Sequence, residues 1–337
     1  MRKPLPQFNS QDLRKKLYLH VGFHKTGSTS IQTYLFRNRK VLGRSGLLYP
    51  TTGLEHSAHH RIAWACGTGR HAKKPELVNR YVEQLRKEAS ASSVENVIVS
   101  SEEFESSHEI PYLESLTKEF DVKVVVYVRK QDHMLESAYN QHLRQYDLRF
   151  SGGIYQFAFK YNFFNRLNYR IKLERWEKVF GRENILVRHY GTTNVAKDVC
   201  EDLLSIVSPE HVSDYVDARR SSNINVSLPA AALPYLARLN KLALSSPQHQ
   251  HILRKLETRF ANAEAGRSLS NLEAQEFYSK FEASNRYIAK RYLNLSYDPF
   301  HELLKSDSQK THIPFDAATE ELVLEYFSFV LWQRSHE

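Results

Sequence analysis

In the stretch HVGFHKTGSTSIQ, two glycines, Gly22 and Gly27, bracket one lysine, Lys25, and Ser28, Thr29 and Ser30 follow. The G-x-x-x-x-G spacing is that of the nucleotide loop G-x-x-x-x-G-K-[ST], but the lysine slot holds Ser28, and Lys25 stands three residues earlier. A strand, a glycine-bearing turn and a helix start would gather backbone N–H groups at a helix N-terminus, an anion site by geometry and by dipole. Thr26, Gly27, Ser28 and Thr29 would surround one phosphate, and the hydroxyls of Ser28, Thr29 and Ser30 could donate to it. A triphosphate-loop lysine leans over the β- and γ-phosphates. Lys25 enters from the other side and would sit beside a group carried on a single 5′-phosphate. The apolar strand VVVYVRK ends in Arg129, where a magnesium-holding aspartate could stand. The loop reads as built for a nucleotide with one 5′-phosphate and a transferable group, without metal.

A second anion site is carried by Arg129 and, eight residues on, Ser137 in DHMLESAYNQ. Arginine binds phosphate in a forked, bidentate way. If the turn between them closes, guanidinium and hydroxyl converge at the carboxyl edge of the sheet, where open α/β sheets bind ligands. Taken alone, the pair is as well explained by a surface arginine and a helix serine.

The elements that must position these residues follow from periodicity. KLYLHVGF, GLLYP, NVIVSSEEF, VKVVVYVRK and NILVRHY read as strands, the fourth so apolar that it suits a centre buried on both faces. STSIQTYLFRNRKVLGRSG, PELVNRYVEQLRKEAS, YLESLTKEF, DHMLESAYNQHLRQY and YNFFNRLNYRIKLERWEKVFG read as helices, with Gly43 and Gly46 as stop signals in the first. The alternation predicts an α/β fold: a central parallel sheet with a P-loop-like strand–loop–helix, flanked by helices. After Val195 the chain turns mostly helical, through VAKDVCEDLLSIV, PAAALPYLARLNKLAL, NLEAQEFYSKFEASNRYIAKRYL and AATEELVLEYFSFVLWQR. The expected organisation is a loose arm over residues 1–16 and one domain over 17–337. Its α/β core spans about 17–195, and a helical C-terminal region covers about 196–337.

Composition bounds the answer. With 337 residues, 41% hydrophobic and 25% charged, the chain fits a soluble globular protein. No apolar run approaches the roughly 18 residues of a membrane span, and the basic start lacks the apolar segment of a secretory signal. Two cysteines, Cys66 and Cys200, argue against a disulfide framework or a four-ligand zinc site and suit a cytoplasmic, reducing compartment. The net charge of +9 favours anionic partners or serves solubility alone.

Together, HKTGSTSIQ, VRKQDHMLESAYNQ and SSEEF resemble the sulfotransferases that use 3′-phosphoadenosine 5′-phosphosulfate (PAPS), and most of all the bacterial carbohydrate type. The family's K-x-G-[ST]-[ST] loop binds the 5′-phosphosulfate, and its Arg-x7-Ser spacing binds the 3′-phosphate. The resemblance covers roughly residues 17–190. It implies a nucleotide role for Lys25 through Ser30, for Arg129 and for Ser137. More loosely, through RRSSNINVSLPA, it implies contacts from Asn225 and Ser227. PAPS would serve as sulfonate donor with no metal required.

In related enzymes the base that takes the acceptor's proton is a Glu or His, often after the second strand. Here that segment is PTTGLEHSAHHRIA, in which Glu55, His56, His59 and His60 compete. Histidine titrates in the useful range. His59 is favoured and His60 is next, because HHRIA reads as a loop-to-helix junction with one of the pair pointing inward. Glu102 or Glu103, ending the third strand, could be the base or could orient His59. His24 would pack beneath the loop, and the histidines could instead be a solvated or zinc-binding tract.

The expected acceptor is a hydroxyl on an anionic or polar glycan or glycolipid, with peripheral membrane contact left open. The rivals are a P-loop nucleotide kinase and a basic nucleic-acid-binding module. The second would stack bases on Tyr161, Phe163, Phe164, Tyr169 and Trp176, which read better as core.

Overall fold

A computed structural model of the chain describes residues 14–69, 71–192, 198–209 and 227–324. The expected N-terminal arm therefore lies almost wholly outside the described residues. The alternation of strands and helices gives the α/β fold it implies. In order, β1 (Lys16–Val21), α1 (Ser28–Arg44), β2 (Leu47–Leu48), α2 (His60–Ala65), α3 (Pro75–Ser90), β3 (Asn96–Ser101), α4 (Leu116–Glu119) and β4 (Asp121–Arg129) come first. Then follow α5 (Gln131–Arg144), α6 (Ile154–Lys160), α7 (Phe163–Arg166), α8 (Tyr169–Phe180), β5 (Ile185–Tyr190) and α9 (Val199–Val207). The remainder is α10 (Leu233–Leu239), α11 (Ser246–Arg259), β6 (Gly266–Arg267), α12 (Asn271–Ser279), α13 (Glu282–Leu293), α14 (Leu303–Ser308) and β7 (Thr311–His312).

The described residues form two compact units that interleave in sequence. The first takes residues from 1–128, 170–222 and 288–295, and the second from 129–169, 223–287 and 296–337. The chain thus does not divide once near residue 195: α5 to α7 group with the later helices, as α5 packs on α10 and α12.

The first unit is built on an all-parallel sheet in the order β2-β3-β1-β4-β5. β1 pairs with β3 on one side (Leu19 opposite Val99) and with β4 on the other (Leu19 opposite Val124). Leu17, Leu19 and Val21 are buried, as are Val122 and Val124 to Val128, because helices cover both faces. On one face Ile31, Leu35 and Leu42 of α1 meet Leu203, Leu204 and Val207 of α9 over Ile98, Val125 and Tyr127. The chain leaves β1 toward β2 and β3 on one side and later takes up β4 on the other. The carboxyl end of β1 is therefore the topological switch point, the place where such sheets bind ligands.

The second unit packs its helices around an aromatic cluster in which Phe157 meets Tyr139, Phe150, Tyr161 and Phe163. β6 and β7 form a two-stranded parallel ribbon. Three expectations change. α1 runs through Gly43, and the turn is made by Gly46 at φ +82°. The aromatic helix before Gly181 is two helices, the first entered through Asn162 at φ +52°. The long helix expected after Asn271 breaks between α12 and α13, where Phe281 turns inward and is 4% exposed. No helix among the described residues is long and apolar enough to cross a membrane.

Candidate functional site

The turn after β1 is locked to the end of β3. Gly22 N–H donates to the Ser101 carbonyl (3.1 Å). A Cβ on Gly22 would stand 2.4 Å from Ser28 Oγ and 3.3 Å from Glu102 Cα, so only glycine fits there. The chain then reverses through two left-handed residues, Lys25 (φ +64°) and Gly27 (φ +84°), and α1 begins. A Cβ on Gly27 would meet Val199 Cγ1 at 2.8 Å. The first bond into the helical ladder is Ile31 N–H to the Gly27 carbonyl, so the N–H groups of Ser28, Thr29 and Ser30 precede it. No side chain caps this end and no acid occupies its first turn, which leaves its dipole unopposed locally. The hydroxyls divide differently from the expectation. Thr26 Oγ1 and Ser28 Oγ both donate inward to the Phe23 carbonyl (2.6 and 3.4 Å), whereas Thr29 is exposed and Ser30 half-buried. Thr26 thus braces the loop, and at Ser28 the N–H, not the hydroxyl, is left at the start of α1.

Beneath the loop lies an anchor not anticipated from sequence. Glu105 accepts from the His24 main-chain N–H (2.8 Å), bonds the His24 ring and pairs with Lys172, whose ammonium lies 5.0 Å from the Phe23 ring centre. Burial alone would push the Glu105 carboxyl up, but Lys172 and His24 outweigh it and hold the carboxyl far below the usual range. His24 is therefore tied to the helical turn that follows β3, more than packed under the loop.

The two adjacent histidines take opposite roles. His59 is fully buried. Its Nδ1 accepts from Ser100 N–H (3.1 Å), its Nε2–H donates to the Pro50 carbonyl (3.0 Å), and Tyr49 packs edge-on at 4.6 Å. With both ring nitrogens spent on main chain, His59 cannot receive an acceptor's proton, and the expectation that it is the base is corrected. His60, the first residue of α2, instead bonds Ser101 Oγ through Nδ1 (2.8 Å) and turns Nε2 toward Glu102 Oε1, 3.9 Å away. The other Glu102 oxygen accepts from Gln32 Nε2 of α1 (2.6 Å). His60, Glu102 and Gln32 thus form a polar chain flanking the turn after β1, and Gln32 is a residue the sequence reading missed. Glu55 pairs with Arg61, and the His56 side chain is 90% exposed, so the histidines of this segment do not converge as zinc ligands would.

Burial lowers the His59 imidazole to about 4 and the His20 imidazole to about 3, from an ordinary value near 6.5. Below that ordinary value the unfolded chain binds protons that the folded chain refuses. Their stabilisation is therefore complete above about pH 6.5 and is lost as pH falls toward 4, at about 1.4 kcal/mol per pH unit for each histidine. Urea midpoints measured from pH 7 to pH 4 should fall steadily, and His59→Gln should flatten part of that slope. A flat profile from pH 7 to 5 would contradict two neutral buried imidazoles. His59→Ala should cost about 2–4 kcal/mol of stability.

In the second unit, Arg129, Ser137 and Ser227 line one cavity of about 270 Å³, with Asn140, Arg267 and Lys310. Asn225 lies outside the described residues. Tyr169 Oη donates to the Arg129 carbonyl (2.8 Å), and Asn140 Nδ2 donates to the Leu228 carbonyl (2.8 Å), which ties the walls together. Behind it, Lys130 Nζ lies 2.7 Å from Asp132 Oδ2 and 3.1 Å from Asp307 Oδ2, and Arg267 bridges Asp132 and Glu136. Burial would raise the Asp132 carboxyl, but Lys130, His133 and Arg267 hold it low. Asp132, His133 and Asp307 offer ligand atoms within 4.8 Å of one another, yet Lys130 and Arg267 already supply the positive charge there. The network fixes α5, and with it Arg129 and Ser137, against β6.

Compared with known proteins, the chain matches no family model and no curated sequence.

Proposed function

We propose that the chain is a sulfotransferase that moves a sulfonate group from PAPS to a hydroxyl of a carbohydrate or glycolipid. The observation that carries this reading is Lys25, a non-glycine residue held at φ +64° in the turn between β1 and the uncapped start of α1. A left-handed conformation costs a side-chain-bearing residue about 1–2 kcal/mol. Lys25 shares this conformation with His56, Arg149, Asn162 and Asn294, and what supports a use for its amine is its place in the turn between β1 and α1.

PAPS would supply a sulfonate on a 5′-phosphate and leave as 3′-phosphoadenosine 5′-phosphate. The N–H groups of Ser28, Thr29 and Ser30 would hold the 5′-phosphate, and Thr29 and Ser30 add hydroxyls. The Lys25 ammonium would neutralise the charge that gathers on the bridging oxygen as its bond to sulfur breaks. His60, backed by Glu102, would take the acceptor proton as the new oxygen–sulfur bond forms, and Gln32 keeps Glu102 aimed. A nucleotide kinase needs a lysine where Ser28 turns its hydroxyl into the loop. A base-stacking surface needs Phe163, Tyr169 and Trp176, each 1% exposed. Two free, buried thiols, Cys66 and Cys200, suit a cytoplasmic setting.

In the second unit, the Arg129–Ser137–Ser227 cavity would take the 3′-phosphate. Calorimetric titration with 3′-phosphoadenosine 5′-phosphate and with 5′-AMP tests this. The wild type should prefer the bisphosphate, and Arg129→Ala should forfeit about 2–4 kcal/mol of that preference. A mutant with undiminished preference would remove Arg129 from the site. Tighter binding of magnesium-ATP than of the bisphosphate would replace the sulfotransferase reading with the kinase one.

A further inference from the structure

We infer that a second cavity in the first unit, about 250 Å³ and walled by Arg61, Trp64, His71, Lys74, Leu77 and Tyr81, binds an acidic sugar residue of the acceptor. The term acceptor rests on the sulfotransferase reading; the preference for an acidic saccharide does not.

Position is the first reason. α2 carries His60 and, one turn later, Trp64. Their rings stack at 5.7 Å and 24°, and His71 stacks on Trp64 at 4.5 Å and 13°. The cavity is thus joined through one indole to the imidazole proposed to meet the reacting hydroxyl. A ligand presenting its hydroxyl at His60 would set the neighbouring residue of its chain into this cavity, whose volume is on the scale of one sugar ring.

Chemistry is the second reason. The walls bring a guanidinium, an ammonium and an imidazole together with an indole and a phenol, and no carboxylate is among the lining residues. Arg61 is engaged by Glu55 at 2.7 Å. Among the described residues, the Lys74 ammonium and the Tyr81 hydroxyl have no hydrogen-bond partner. Aromatic walls suit the apolar face of a saccharide, and an unpaired ammonium suits a carboxylate or sulfate on it. Lys74 is exposed and Tyr81 half-buried, so a neutral sugar would leave that ammonium to water, whereas an acidic one adds a charge-assisted contact.

The test uses the full chain and a hexasaccharide of alternating glucuronate and N-acetylglucosamine. It is compared with its sulfated form and with the same oligosaccharide after reduction of its carboxyl groups. Titration should show one or both acidic forms binding at least about ten-fold tighter than the reduced form, the worth of one charge-assisted contact. Lys74→Glu should erase that ratio, and Leu77→Trp, which fills the cavity, should weaken all three. Equal binding of acidic and reduced forms by the wild type would overturn the inference, as would a ratio that survives in Lys74→Glu. The same samples are titrated with 3′-phosphoadenosine 5′-phosphate. If the bisphosphate binds and the acidic preference is absent, the subsite falls and the sulfotransferase reading stands. If the preference maps to Lys74 but the bisphosphate does not bind, the site stands and the sulfotransferase reading falls.

Discussion

Lys25→Ala is expected to lower the turnover number by about 10²–10³-fold, the usual worth of one charge-stabilising group at a departing oxygen, with the folded state intact. Alanine bears the same left-handed backbone burden as lysine, so the substitution neither adds nor relieves strain at φ +64°. The loop is held by other groups: Gly22 on Ser101, Thr26 on the Phe23 carbonyl, and His24 on Glu105. Lys25→Gly sharpens the test, because glycine enters the left-handed region without penalty. That variant should melt at or above the wild-type temperature and still be inactive. Activity within a few-fold of wild type in either variant would remove the lysine from the reaction.

The His60–Glu102 pair carries the second large effect. His60→Ala and Glu102→Gln should each cut the turnover number by about 10²–10⁴-fold, with affinity for 3′-phosphoadenosine 5′-phosphate unchanged, because both groups would face the acceptor. The double variant should be little worse than the poorer single one, since groups that act as a unit are not additive. Folded His59→Gln should keep its specific activity, because both its ring nitrogens are bonded to main chain. If His60→Ala keeps its rate while Glu102→Gln loses it, the carboxylate alone takes the proton. If both keep their rates, the acceptor hydroxyl is acidic enough to need no base, which points to a phenol.

Much of the scaffold was legible because its signals are local. The nearly unbroken apolar run of β4 announces a strand buried on both faces, the pattern of KLYLHVGF announces a buried β1, and the glycine spacing around Lys25 announces the turn. Arg129 and Ser137 sit on consecutive elements, so their shared cavity follows from one strand–helix turn. The two histidines show where this stops. His59 and His60 are neighbours of one type, and the main chain of Ser100 decides which faces inward, 41 residues away. The Glu105–Lys172 pair spans 67 residues and the Lys130–Asp307 pair 177, so only the fold brings these charges together. The helix breaks near Asn162 and Phe281 were hidden because the apolar pattern continues across them, and only the backbone changes direction.

One incubation distinguishes a chain that handles a sulfonate on a nucleotide from one that handles a γ-phosphate. Protein is mixed with PAPS labelled in the sulfonate, or with ATP labelled in the γ-phosphate, and with a panel of glycans, glycolipids and phenols, each with and without a magnesium chelator. Labelled sulfate should pass to a hydroxyl-bearing acceptor, with one equivalent of 3′-phosphoadenosine 5′-phosphate released, at a rate the chelator does not change. The account is contradicted if no acceptor takes label from PAPS while magnesium-dependent transfer from ATP is observed.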